Sequence, residues 1–235
     1  MTETRKPGDE LAEDMLGFGG RDVLTAKDLL LRPAAVLRSW MEGGPDGGGL
    51  YARPLRLYLA LNAILMLILF LRGGAGFVLD GLSAAQWEPL LDMSGKSRDA
   101  FVADADGWMT LVMVPILSAF YAIAAAPLLR WWDPDDLGWR RGFRAAFGWL
   151  CAWTVPVLPL SAFGYGSGPL AAAVGALTAL IGVVAFVRMG PGRWFQSPLS
   201  GVLKGVALMI AVQLSAMVGG VLVGAIGIVG ALVSP

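Results

Sequence analysis

Five long stretches of apolar residues constrain the fold of this chain more than any other feature. They cover residues 55–71, 108–129, 143–163, 170–187 and 202–233. A helix needs about 20 apolar residues to cross a bilayer, and lipid offers no partners for unpaired backbone groups, so each stretch must be helical. The sequence therefore predicts an all-α, polytopic transmembrane helix bundle with five spans. The last stretch is longer than a bilayer requires, so we expect that helix to tilt or extend beyond the lipid.

The composition supports a membrane protein and argues against several functional classes. Of the 235 residues, 56% are hydrophobic and 15% are charged, against roughly 25% charged in soluble domains. The formal net charge of zero argues against nucleic acid as a partner. The chain has no histidine and a single cysteine, Cys151, which removes the commonest metal ligand and general base and any internal disulfide. We therefore predict a non-enzymatic protein with no catalytic residues, cofactors or metal site.

The distribution of basic residues predicts the orientation in the membrane. Arg and Lys are concentrated before the first span, between the second and third spans, and between the fourth and fifth. The connection over residues 164–169 is uncharged, and the long connection over residues 73–107 is mainly acidic. Basic loops tend to stay in the cytoplasm. We therefore predict a cytoplasmic N-terminus, an external loop over residues 73–107 and an external C-terminus.

The N-terminal part is expected to contain a tail followed by short helices. Residues 1–22 are polar and glycine-rich without a cleavable signal sequence, which favours a mobile tail. Residues 23–54 are predicted to form cytoplasmic interfacial helices, and residues 55–235 the membrane domain. Thr25 and Asp28 resemble a capping box. Pro33 suits the first position of a second helix, which Gly43 can end.

One face of this second helix is apolar, with Val36, Leu37, Trp40 and Met41 on it. We predict an amphipathic helix, for which two positions remain open. It lies in the headgroup layer as an interfacial helix, or it packs on the cytoplasmic end of the bundle. Within the external loop, residues 82–92 favour a short amphipathic helix with Trp87 on the surface.

Polar side chains inside the spans are uncharged away from the ends. They are Asn62, Thr110, Ser118, Tyr121, Thr154, Ser161, Thr178, Gln213 and Ser215. Asn62 and Gln213 cost most to bury alone. Two interpretations remain open: hydrogen bonds between helices, or a polar lining for a substrate or a lipid headgroup. Pro115 and Pro127 in the second span, and Pro156 and Pro159 in the third, remove backbone donors and favour kinks.

Two charged segments border the third span. Arg140, Arg141 and Arg144 lie among aromatic residues, and we predict that they contact anionic lipid headgroups. The acids Asp133, Asp135 and Asp136 suit a divalent cation. We interpret them instead as a helix start, with Asp133 as N-cap and Pro134 at the first position.

Small residues recur along the last two spans. Those of the fourth span are Ala171, Gly175 and Ala179, and those of the fifth are Ala216, Gly220, Gly224, Gly227 and Ala231. Small residues allow helix backbones to approach closely in lipid. We predict that the two faces pack on each other, with a second subunit as the alternative partner.

The segment before and into the first span has a recognisable pattern. Arg32-Pro33 precedes the amphipathic helix, a glycine-rich break follows, and Tyr51, Pro54 and Tyr58 form Tyr-x-x-Pro-x-x-x-Tyr. This opening resembles an uncharacterised bacterial inner-membrane family, a domain of unknown function, and the five-span layout is similar to Yip1-type proteins. The resemblance implies a non-enzymatic protein of the bacterial inner (cytoplasmic) membrane. The zinc ribbon common in that family has no counterpart here, so no metal role carries over.

Two classes of function fit these features. The first is binding, as a scaffold, an accessory subunit or a lipid-interacting protein, with membrane lipids, a membrane protein or a second copy as partners. The alternative is a small transporter or lipid-translocating protein that uses the proline-containing spans. A polar cavity that reaches the middle of the membrane favours the alternative, and a closed bundle with a broad apolar face favours the first.

Overall fold

A computed structural model describes residues 19–42, 49–135, 138–166 and 168–234. The regular structure in these ranges is helical, in the order α1 (Gly20–Leu31), α2 (Pro33–Glu42), α3 (Pro54–Leu71), a 3₁₀ helix (Gly76–Gly81), α4 (Ala84–Ser94), α5 (Arg98–Trp132), α6 (Gly138–Gly164), α7 (Pro169–Met189) and α8 (Pro198–Val233). Gly43 and Asp136, discussed above, lie outside the described residues. The all-α prediction is confirmed for the part of the chain that the structure describes.

Five helices are long and apolar enough to cross a membrane: α3, α5, α6, α7 and α8. By length and composition, the chain is a multi-pass membrane protein. α5 and α8 contain 35 and 36 residues, so each is about 50 Å long at 1.5 Å per residue. A hydrocarbon core is about 30 Å thick. Both helices must therefore tilt or continue beyond the lipid.

Most of the predicted loop over residues 73–107 is helical. α5 begins ten residues before its apolar stretch, at Arg98, because the hydroxyl of Ser97 accepts the backbone N–H of Ala100 and caps it. Trp87 of α4 was expected on the surface, but it is 5% exposed. Its ring packs edge-on against Phe101, with 5.9 Å between the ring centroids. The partner lies on another helix, so the pattern of α4 alone did not show it.

Lys96 ties the connection between α4 and α5 to the end of α8. Its ammonium donates to the carbonyl oxygens of Ala231 and Ser234 at 3.0 and 2.9 Å and pairs with Asp104 at 2.6 Å. The carbonyls at the end of a helix lack partners within the helix. Lys96 therefore satisfies two of them and fixes this end of the bundle.

α1 begins earlier than predicted. Gly19 is its N-cap, and the Asp22 carboxylate accepts the Gly19 backbone N–H at 2.8 Å. The capping pair is therefore Gly19 and Asp22 rather than Thr25 and Asp28. Residues 20–22 belong to the helix and not to the tail, and residues 1–18 lie outside the described ranges. Thr25 lies inside α1, where its hydroxyl accepts the backbone N–H of Ala52 at 2.9 Å.

The apolar face of α2 is covered by protein. Its members are buried: Val36, Leu37, Trp40 and Met41. Trp40 lies against Gly148 of α6, where a Cβ would be 3.0 Å from two carbons of the indole ring, and its Nε1 donates to the Ala52 carbonyl at 2.9 Å. This arrangement corresponds to the packed alternative. The apolar face of α2 is therefore buried against protein and is not available to the headgroup layer.

Two buried carboxylates fasten α1 to the segment before α3 and to the first turn of α3. Asp28 is 2% exposed and accepts hydrogen bonds from Arg32 and from the Tyr51 hydroxyl, both at 2.9 Å. The hydrogen bond from Arg32 lowers the pKa of the Asp28 carboxyl. Burial, together with the hydrogen bond to Asp28, raises the pKa of the Tyr51 phenol. Asp22 pairs with Arg56 at 3.4 Å. The first tyrosine of the Tyr-x-x-Pro-x-x-x-Tyr pattern is thus a structural anchor.

Asp133 ends α5 and does not begin α6. α6 starts at Gly138, so the predicted N-cap is wrong. The fully buried Asp133 side chain is paired instead with Arg193, through its Nε and through its Nη2 at 3.2 Å. This partner is 60 residues away in sequence, in the connection between α7 and α8. A bidentate arginine–carboxylate pair therefore joins two connections at the end of the bundle that carries α1 and α2.

The small-residue faces of α7 and α8 do not pack on each other as predicted. A Cβ at Gly175 or Gly220 would meet no atom within 4 Å, so both glycines border open space. A Cβ at Gly227 would instead lie 3.2 Å from the carbonyl oxygen of Ala105, and Ala231 is fully buried. The closely packed face of α8 is directed at α5. The other members of the two stripes are half-buried: Ala171, Ala179, Ala216 and Gly224.

Candidate functional site

A cavity of about 350 Å³ lies between the spanning helices. Residues of α3, α5, α6 and α7 line it, together with Gln213 of α8 and with Phe77 and Tyr165 from connecting segments. Its polar side chains are uncharged: Tyr58, Asn62, Ser118, Tyr121, Thr154, Ser161, Tyr165, Thr178 and Gln213. This volume lies in the range of about 300–1,000 Å³ that is typical of small-molecule sites.

The face of α3 that borders the cavity is set by a one-turn spacing. Tyr58 and Asn62 are four residues apart and therefore lie on the same side of the helix. Asn62 is 8% exposed. The Tyr58 hydroxyl lies within hydrogen-bonding range of Asn62 and of Ser118 of α5, and the Tyr58 ring packs on Phe147 of α6, with 5.5 Å between the centroids. Two helices thus contribute polar groups to one small region, and a third packs an aromatic ring against it.

Two hydroxyls of the lining already donate a hydrogen bond within their own helix. The Ser161 hydroxyl donates to the Leu158 carbonyl at 2.7 Å, and the Thr178 hydroxyl donates to the Gly175 carbonyl at 2.8 Å. A hydroxyl has one donor and two acceptor lone pairs, so these two can still accept. The amides of Asn62 and Gln213 can donate as well as accept. The cavity can therefore satisfy a ligand that carries both kinds of group.

Three of the four prolines inside α5 and α6 lie in the stretches that line the cavity. Pro115 lies inside α5, between lining residues 114 and 117, and Pro156 and Pro159 lie inside α6, between lining residues 154 and 161. Each proline removes one backbone hydrogen bond of its helix. The backbone ladder is therefore interrupted in the stretches that line the cavity.

Aromatic rings form two of the cavity's borders. Phe77 and Tyr165 pack together at the end away from α1 and α2, with 6.5 Å between their centroids. Trp153 stands between α6 and α7, where its Nε1 donates to the Thr178 carbonyl at 2.8 Å. It also contacts Tyr121, with 5.8 Å between the centroids. These rings make the wall largely apolar between its polar groups.

The lining determines which ligands the cavity can hold. A charged group there would find no opposite charge among the lining residues, and desolvating an ion inside a protein costs several kcal/mol. An uncharged polar group can exchange its hydrogen bonds to water for bonds to the hydroxyls and amides. The cavity therefore suits an uncharged polar or amphipathic molecule.

The predicted buried polar residues fall into two sets. Asn62 and Gln213 both line the cavity, although Gln213 is also exposed on the outer surface. Thr110 and Ser215 serve the packing of the helices. The Thr110 hydroxyl accepts the backbone N–H of Ala75 at 2.9 Å, and the Ser215 hydroxyl donates to the Phe120 carbonyl at 2.9 Å. Hydrogen bonding between parts of the bundle therefore accounts for Thr110 and Ser215, and the role of the cavity lining toward a ligand stays a prediction.

The arginines at the start of α6 have different surroundings. The Arg144 guanidinium donates to the Trp40 carbonyl at 3.1 Å and so helps to hold α2 on α6. Arg140 and Arg141 are exposed, and their contact with anionic headgroups stays a prediction. Within the described ranges, which do not include Asp136, no group of three His, Cys, Asp or Glu side chains could hold a metal ion.

Several cavity residues were not identified from the sequence. Tyr58 could have been found from its four-residue spacing to Asn62. Tyr165 lies in the short connection after α6, where no periodic pattern shows the direction of a side chain. Trp153 was one of several aromatic residues in its span, and only the position of α7 makes it part of this wall.

No protein-family model, curated protein or solved structure matches this chain. The site therefore has to be interpreted from its own geometry.

Proposed function

We propose that the protein binds an uncharged polar group inside the membrane, either of a small molecule or of a lipid head, and that it acts in transport or translocation. The observation that carries this proposal is the cavity with an uncharged polar lining between the spanning helices. Asn62 lies near the midpoint of α3 and Gln213 near that of α8. A polar cavity at this depth favours the transport alternative over a scaffold.

The groups that line the cavity do not suit catalysis. The chain contains no histidine, and no carboxylate or amine is among the lining residues. Hydroxyls activate poorly as nucleophiles without an adjacent base. Binding and passage therefore account for this lining better than a chemical step.

Cysteine accessibility tests whether the cavity admits an uncharged molecule. The chain has a single cysteine, Cys151, which is fully buried. Cys151→Ala therefore gives a background without a native thiol. Ser118→Cys and Thr154→Cys then place one thiol in the lining. Thiols react as thiolates, which form only where polar groups or water can stabilise them. We expect both variants to react with the uncharged reagent methyl methanethiosulfonate and to react less with its trimethylammonium analogue.

The matched control is Leu111→Cys on α5, a position that is 59% exposed on the apolar outer surface. A thiol there should stay unreactive in a bilayer. If the lining variants react no faster than this control, the cavity is closed to polar molecules and the proposal is wrong.

We further propose an orientation with the N-terminus in the cytoplasm and the C-terminus outside, in a bacterial inner membrane. The distribution of arginine and lysine supports it. Fusions of alkaline phosphatase and green fluorescent protein to the C-terminus test it, because the first is active outside and the second fluoresces inside. If the green fluorescent protein fusion fluoresces and the alkaline phosphatase fusion is inactive, the C-terminus lies in the cytoplasm and the proposed orientation is wrong.

A further inference from the structure

A second, apolar groove of about 350 Å³ lies on the outer surface between α7 and α8. α7 contributes Ala179, Leu180 and Val183, and α8 contributes one face from Val206 to Leu214. Leu180 and Leu214 are 59% and 58% exposed. In a bundle that spans a membrane, such a surface faces the acyl chains of lipids.

The floor of this groove is closed by direct contact between the two helices. At Gly182 a Cβ would overlap the sulfur of Met209, and at Gly205 it would lie 3.1 Å from the Phe186 ring. Met209 itself is 4% exposed. The groove is therefore a crease along two touching helices and does not pass into the bundle at this level.

Past Gln213, at the end of the crease nearer the start of α7, open space borders α7. A Cβ at Gly175 would meet no atom within 4 Å. Gly175 and Gln213 both line the central cavity, and both are exposed. Gln213 lines the groove as well. The polar cavity and the apolar groove therefore meet at this one amide, on the side of the bundle that faces lipid.

We propose that cavity and groove together form the site of a membrane lipid with an uncharged polar head, which enters sideways between α7 and α8. The head lies in the cavity, one acyl chain lies in the groove, and the Gln213 amide hydrogen-bonds the linkage between them. This inference rests on the proposed function and names the class of its ligand.

The dimensions and the charge both agree with such a lipid. Val206 and Leu214 are eight residues apart, or about 12 Å along α8, which accommodates a stretch of an extended acyl chain. A phosphate head would enter a cavity without a lining cation and would lose its hydration without compensation. A head with hydroxyl groups and ester carbonyls matches the donors and acceptors that line the cavity.

Photocrosslinking in nanodiscs tests the site directly. The full chain is reconstituted in phosphatidylcholine with a trace of diacylglycerol that carries a diazirine at the end of one acyl chain, and crosslinked peptides are mapped by mass spectrometry. We expect crosslinks at residues 179–183 and 206–214 to exceed those at the exposed position Val221 by about tenfold. Unlabelled diacylglycerol should compete, whereas phosphatidylglycerol and free glycerol should not.

Two substitutions fill the groove from opposite sides. Ala179→Trp acts from α7, and Leu214→Trp acts from α8 at a position that already faces lipid. Both should abolish the enrichment. Val221→Trp is the matched control, because Val221 is 75% exposed on the same helix and lines neither the groove nor the cavity. It should leave the crosslinking unchanged.

An even distribution of crosslinks over the outer surface, or equal competition by phosphatidylglycerol, would overturn this inference. So would competition by free glycerol, which would point to a ligand from water. If the inference fails while the cavity thiols still react with the uncharged reagent, the proposed function stands. If the thiols do not react either, both proposals fail.

Discussion

Gly220→Ala and Gly227→Ala are a matched pair of substitutions that separates a closely packed level of α8 from an open level on the same side of the helix. The two glycines lie two helical turns apart. A Cβ at Gly227 would overlap the Met109 side chain and lie 3.2 Å from the Ala105 carbonyl oxygen. A Cβ at Gly220 would meet nothing within 4 Å. The same methyl group is therefore added once to a tight contact and once to open space.

The expected difference follows from two terms. Alanine is favoured over glycine inside a helix by about 1 kcal/mol, and both variants gain this term. Only Gly227→Ala adds a methyl group to a packed contact, and such overpacking costs about 1–3 kcal/mol. The Ala105 carbonyl belongs to the backbone of α5 and cannot rotate away. We therefore expect Gly227→Ala to be less stable than Gly220→Ala by about 1–3 kcal/mol.

The free energy of unfolding can be measured for both variants in mild detergent by titration with sodium dodecyl sulfate, followed by tryptophan fluorescence and helix content. The helix-propensity term cancels in the comparison, so the difference reports the contact with α5. If the two variants are equally stable, or if Gly220→Ala is the less stable one, the close contact of α8 with α5 at Gly227 has been assigned wrongly.

Three further predictions concern charged groups. Arg193→Ala should lower the free energy of unfolding by about 3–5 kcal/mol because it leaves a buried carboxylate unpaired, and Arg193→Lys should lose less in the same titration. The pKa of Asp28 is lowered in the folded protein, so its stabilising effect is complete above the unfolded pKa and is lost as the pH falls through the folded value. Asp28→Asn should therefore lose less thermal stability than the wild type between about pH 5 and pH 3, and an unchanged acid profile would contradict this assignment. Arg140→Gln and Arg141→Gln should reduce the anionic lipid that mass spectrometry detects after purification, by about 1 kcal/mol of binding per charge, whereas Arg144→Gln should lower thermal stability through its lost bond to α2.

The number of spans and their helical state could be predicted because lipid imposes them locally. Each apolar stretch must satisfy its own backbone hydrogen bonds, so residues 55–71 or 170–187 require no knowledge of their neighbours. The start of α2 at Pro33 could be predicted for a similar reason, since proline suits the first turn of a helix. Two polar members of the cavity could also be identified, because Asn62 and Gln213 stand out in apolar surroundings.

The partners of these residues were decided only by the tertiary structure. Asp133 looked like a helix cap, but its carboxylate is paired with an arginine from a distant connection. The stripe through Gly220 and Gly227 looked like a contact face for α7, but α5 packs closely at Gly227, and open space borders Gly220 two turns earlier. Periodicity gives the direction of a side chain around its own helix. It does not determine which other helix packs against that side. Whether Asn62 and Gln213 bond to other helices or line a common cavity depends on that placement, because a cavity belongs to the space between helices and to none of them alone.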